Sequence, residues 1–208
     1  MTLRQVVLVL PLFVLPGARA DAAGADRSRV TIRVYDAARL DDALKTTALA
    51  VAGDVFAPAS VGVAWKKCAP AGTAPPCDRP PAGDLVVRIL RSTLRHAEPA
   101  LPLGDALVDE GTHSAVLATI YADWAERLAQ TAGADLGRLL GYAIAHEVAH
   151  LLLASNAHSA AGLMRSIWRG EELRDARAGD WTLTAADIAA IRARLHAPGD
   201  PNIIWATR

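Results

Sequence analysis

Polar and apolar positions alternate from Arg29 to Tyr35, placing Val30, Ile32 and Val34 on one side of an extended chain. That period of two predicts a half-buried β-strand. The period then changes: Leu40, Leu44, Ala48, Val51 and Val55 follow helical spacing, and Val61 to Trp65 is extended again. Strand, helix and strand joined by short connections predict a crossover onto a parallel pair. Asp84 to Leu90 reads as a buried third strand, Ala106 to Val108 as a short edge strand and Ser114 to Tyr121 as a central one. Trp124 to Thr131 predicts a helix that Gly133 interrupts, and Asp135 is placed to cap a longer one running to Ala154. Thr184-Ala185-Ala186-Asp187 has the form of a capping box, and Ile188, Ile191 and Leu195 continue as an amphipathic helix. This order predicts the α+β class: a mixed twisted sheet with an early crossover helix, one long apolar helix and a small helical C-terminal part.

The first twenty residues are expected to stand outside that fold. Arg4 supplies a positive start and Val6 to Leu15 an apolar run broken by Pro11; Ala18-Arg19-Ala20 is a small-residue cleavage pattern. The run is short for a bilayer span, so it reads as a signal peptide cleaved after Ala20, the alternative being an uncleaved anchor. The expectation is a secreted or periplasmic protein of one domain, residues 21–208, with no stable membrane anchor after cleavage. Lys and Arg number 22, as do Asp and Glu, and no basic cluster stands out. That balance argues against nucleic acid as a partner. Arg174 to Arg177 carries both signs and reads as a solvated face. Cys68 and Cys77 flank a loop rich in Pro, Ala and Gly, and an oxidising compartment predicts one disulfide between them.

Chemistry enters at His146-Glu147-Val148-Ala149-His150. On a helix, residues four apart stack on one face, so both imidazoles can reach a single metal ion, with Glu147 beside them as a base. Leu140, Ile144, Val148, Leu151 and Leu152 recur at helical spacing, and Glu147 is the only charged residue between Leu139 and Ala154. Polar groups on so apolar a helix are costly unless they satisfy one another or bind metal. A catalytic zinc site needs a third protein ligand, with one position left to solvent.

The stretch after the helix reads Ala154-Ser155-Asn156-Ala157-His158-Ser159-Ala160-Ala161-Gly162-Leu163-Met164. With the preceding motif it resembles the metzincin superfamily of zinc proteases, and especially the matrixin-like catalytic tail, through His158-Ser159 and Gly162-Leu163-Met164. The strand–helix–strand opening is similar as well. The resemblance implies Zn2+ held by His146, His150 and His158, Glu147 as general base, and Met164 as a floor beneath the metal. It implies a secreted zinc-dependent endopeptidase acting on a peptide or protein substrate; on that reading the edge strand around Ala106 to Val108 is a place for an extended peptide to pair. Two positions depart from the family's spacing: Leu153 stands where a glycine is usual and Asn156 where the third His is usual, so His158 comes two residues late. A turn at Ser155-Asn156, with Asn in the left-handed region, would deliver it.

Other readings remain open at this point. Glu171 stands at the distance of a thermolysin-like third ligand, with Asp175 one helical turn on. A non-catalytic secreted zinc-binding module, or a hydrolase of a different bond such as one in a cell-wall peptide, fits the same motif. His96, His113 and His196 sit in polar surroundings and are expected at the surface, and Tyr142 is expected to pack.

Overall fold

A computed structural model describes residues 28–68, 77, 83–92, 102–174 and 180–197. The expected signal segment, His96 and Asp175 lie outside the described residues. Strand β1 (Ser28–Asp36) is followed by helix α1 (Asp42–Val55) and strand β2 (Val61–Cys68). Asp41 caps α1 by accepting from the amides of Ala43 and Leu44. Strands β3 (Leu85–Leu90), β4 (Gly104–Asp109) and β5 (Ser114–Tyr121) come next, then helices α2 (Ala122–Ala132), α3 (Leu136–Leu153), α4 (Gly170–Arg174) and α5 (Ala185–Leu195). The strands form one sheet in the order β2-β1-β3-β5-β4. All neighbours are parallel except β4, which runs antiparallel to β5 and forms an edge. The class is α+β, as the patterning predicts, and the β1–α1–β2 crossover joins a parallel pair.

Residues paired across neighbouring strands share a face of the sheet. One face is built from Val34, Val87 and Ala118, and from Ile89, Ile120 and Gly104. Apart from Gly104, each of these side chains is at most 1% exposed. Helix α3 packs on β4 and β5 and against α1. Helix and sheet thus close over one hydrophobic core cluster, to which α3 brings Leu140, Ile144 and Val148, each without exposed surface. Burial of a side chain this size stabilises by roughly 1.5–3 kcal/mol.

Gly141 makes the α1–α3 contact possible. A Cβ there would stand 2.6 Å from Val51 Cβ and 2.8 Å from the Ala48 carbonyl oxygen, so the helix backbones touch where no side chain fits. On the other face of the sheet, Arg33 is 4% exposed and its Nε donates to Asp84 at 2.6 Å. Cys68 and Cys77 form the expected disulfide. Among the described residues no helix is long and apolar enough to cross a membrane.

Candidate metal centre

Helix α3 positions the motif. Asp135 caps its start by accepting from the Arg138 amide at 2.7 Å, and Gly133 ends α2 with φ of 66°. His146, Glu147 and His150 are buried on the resulting helix, at 8%, 7% and 4% exposure. The helix stops at Leu153, and Ala154 adopts the left-handed conformation with φ of 45°. The expected turn by Asn156 is therefore corrected: Ala154 makes it, which lets the Ser155 amide reach back to the His150 carbonyl at 3.3 Å. This helix-ending geometry satisfies carbonyls left open at the last turn.

His158 then folds back over the helix. Its ring centroid lies 5.3 Å from that of His146 and 4.9 Å from that of His150. One ring nitrogen from each of the three histidines falls within 4.8 Å of the others, an arrangement able to hold a metal ion. Two of the three are buried, while His158 is exposed. Glu171, on α4, is also exposed and does not belong to this cluster.

Hydrogen bonding fixes which nitrogens face the centre. His146 Nδ1 lies 3.0 Å from the Leu163 carbonyl oxygen, and His150 Nδ1 lies 2.7 Å from that of Ser155. A carbonyl oxygen only accepts, so each Nδ1 carries its proton and each Nε2 presents a lone pair. Those two Nε2 atoms are 3.1 Å apart. Burial pushes His146 down to about 4 and also lowers His150, so neither ring supplies a bridging proton at neutral pH. Two lone pairs so close favour a cation shared between them. Outer hydrogen bonds of this type are the usual means of orienting histidine ligands.

Met164, expected as the floor, is 1% exposed. The neighbouring Leu163 carbonyl makes the contact with His146 and also accepts from Trp168 Nε1 at 3.3 Å. Trp168 stands edge-on to His146 at 5.6 Å and to Trp181 at 4.9 Å. Tyr142 stacks on Trp181 at 4.8 Å, which is the packing role expected of it. The segment carrying Trp168 is tied by Glu172, whose carboxylate accepts from the Arg169 amide at 3.0 Å and from Arg165 at 2.6 Å. These contacts hold Glu172 below its ordinary value, the Arg169 amide contributing most.

Glu147 faces the edge strand. A Cβ on Gly104 would lie 2.7 Å from Glu147 Cγ, so the carboxylate arm rests directly on the β4 backbone. Burial, reinforced by Asp105, pushes Glu147 up to about 8. A cation bound by the histidines would favour its ionised form. The three histidines and Glu147 open onto a cleft of about 750 Å³ whose other walls include Gly104, Trp124, Leu128 and Trp168. His113 and His196 are exposed and take no part.

The sequence did not point to Trp168, Gly104 or Glu110, whose carboxylate accepts from the Asn156 amide at 2.9 Å. Gly104 could have carried a signal, since glycine inside a strand marks a close approach, but the expected strand began at Ala106 and left it outside. No protein-family model and no curated protein matches the chain.

Proposed function

We propose that the chain is a secreted, zinc-dependent endopeptidase of the metzincin type. The observation that carries this reading is the pair of His146 and His150 Nε2 lone pairs 3.1 Å apart, with His158 completing a three-nitrogen set. Three imidazoles lining a cleft suit zinc, and a set without thiolates is the commoner arrangement for a catalytic than for a structural site. Zinc, when bound, supplies Lewis acidity that brings the pKa of a water molecule toward neutrality.

The chain's own residues would do the rest. Glu147 lines the same cleft as the three histidines, so its carboxylate would take a proton from a water held there and pass it to the leaving amine. A carboxylate so placed has no purpose in a structural site, which disfavours the non-catalytic module. Beside it, β4 is an edge strand next to the cleft, and an extended peptide could pair with its unpaired backbone groups. The cleft's apolar walls, Trp124 and Leu128, would receive a side chain of that peptide and exclude water. Export fits the Cys68–Cys77 disulfide, which persists in oxidising compartments.

The experiment is metal analysis of the purified protein together with peptide hydrolysis in the presence and absence of a chelator. One zinc per chain and chelator-sensitive cleavage are expected, and Glu147→Gln should keep the metal while losing cleavage. A Glu147→Gln variant that hydrolyses peptides at the native rate would end this mechanism.

A further inference from the structure

The third histidine stands apart from the other two in how it is held. His146 and His150 are buried on one rigid helix, whereas His158 is exposed on residues 155–159, which belong to no helix or strand. A ligand on such a segment needs anchors outside it, because a metal site tolerates little error in ligand position.

Local ties hold the segment's ends, Ser155 to His150 and the Ser159 amide to the Met164 carbonyl at 2.8 Å; two long-range hydrogen bonds anchor it elsewhere, and a third links those two anchors. Before His158, the Asn156 amide donates to Glu110 Oε1 at 2.9 Å. After it, Ser159 Oγ donates to Asp187 Oδ1 at 2.8 Å, and Asp187 is itself fixed by the Thr184 amide and hydroxyl. The third joins the two anchors: Arg194, seven residues further along α5 than Asp187, donates to the His113 carbonyl at 2.6 Å. Glu110 and His113 lie in the turn between β4 and β5. Asp109 stiffens that turn by accepting from the amides of Gly111 and Thr112. The β4–β5 turn, the 155–159 segment and α5 thus form a closed three-sided brace around His158.

We propose that Glu110 is a positioning residue for the metal centre. By holding the Asn156 amide it sets how far the chain swings out after Ala154, and so brings the His158 ring against His146 and His150. Asn156 occupies the place where the resembled family carries its third histidine. Here that place provides the amide that is gripped, and the ligand follows two residues later. The inference rests on the zinc reading above.

The test compares the wild-type mature protein with Glu110→Ala and Glu110→Gln, using two readouts. In the metal-free protein, amide hydrogen exchange at Asn156 should accelerate on the order of 10-fold or more in Glu110→Ala, as expected when a local tie is cut. Zinc affinity, measured by competition with a chromophoric chelator, should fall by about 2- to 10-fold, the net worth of one solvent-exposed hydrogen bond that orders a ligand-bearing segment. Glu110→Gln retains a side-chain oxygen as acceptor and should recover most of both. Unchanged Asn156 exchange, or unchanged zinc affinity in Glu110→Ala, overturns the inference and leaves the zinc reading standing. A wild-type protein that binds no zinc overturns both, and the two failures are thereby told apart.

Discussion

Gly104→Ala is the smallest change that tests how the proposed base is seated. The added methyl would stand 2.7 Å from Glu147 Cγ, 3.0 Å from Glu147 Oε1 and 2.7 Å from the Thr119 carbonyl oxygen. The last belongs to the backbone of β5, an inner strand of the sheet, so it has little room to yield. Glu147 and the edge strand β4 must therefore both move. Forcing one extra carbon into a packed site costs roughly 1–3 kcal/mol. At roughly 2–4 °C per kcal/mol for a chain of this size, the Tm should drop by about 2–12 °C. The chemical cost should be larger in proportion, since a displacement of about 1 Å at a catalytic group can cost on the order of 100-fold in rate. None of the atoms that the methyl meets belongs to a histidine, so zinc stoichiometry should stay at the native value. Thermal melts, metal analysis and kcat/KM on one peptide measure all three. Repeating the substitution in a Glu147→Ala background removes the side-chain half of the clash, so the two changes should couple rather than add. Native Tm together with native kcat/KM in Gly104→Ala would refute the proposed seating.

His158→Ala should abolish zinc retention on a desalting column while Glu171→Ala keeps it; the reverse pattern would restore the thermolysin-like arrangement. Glu147 sets a pH dependence for the metal-free protein, because its carboxyl is raised from 4.5 to about 8. The native chain then keeps a proton that the unfolded chain releases, so this contribution to stability is complete below about pH 4.5 and is lost as pH rises through 8. Urea melts of metal-free protein should show stability falling between pH 6 and 8, with the fall largely absent in Glu147→Gln; equal slopes would contradict the burial argument. At Gly141, alanine gains about 1 kcal/mol in helix propensity. It loses roughly 1–3 kcal/mol to the overlap with Val51 and Ala48. Gly141→Ala should therefore be neutral to about 2 kcal/mol less stable by urea melt, and a more stable variant would show that α1 readily gives way.

Much of the fold was legible because its elements are regular. Val30, Ile32 and Val34 alternate and are each at most 1% exposed; Asp135 and Thr184 are chemically suited to cap and do cap. Bounds were less legible: the edge strand expected over Ala106–Val108 spans Gly104–Asp109, since pairing to β5 extends it beyond its apolar residues. In the site, the histidine spacing alone placed His146 and His150, because a helix converts spacing into direction. The turn after them could not be read the same way. Alanine is a poor candidate for positive φ, yet Ala154 adopts it in a helix end closed by hydrogen bonds back to His150 and Leu151. Glu110 was invisible for a related reason: its contact crosses 46 residues, and a surface glutamate has no pattern that announces a partner.

The edge-on approach of Trp168 to His146 gives the proposed centre an optical reporter. An indole within a few ångströms of a coordinating ring is subject to efficient quenching by a paramagnetic ion, so titration with cobalt should dim emission in step with occupancy. Replacing Trp168 by Phe should reduce that response, the remainder coming from Trp124 on the same cleft.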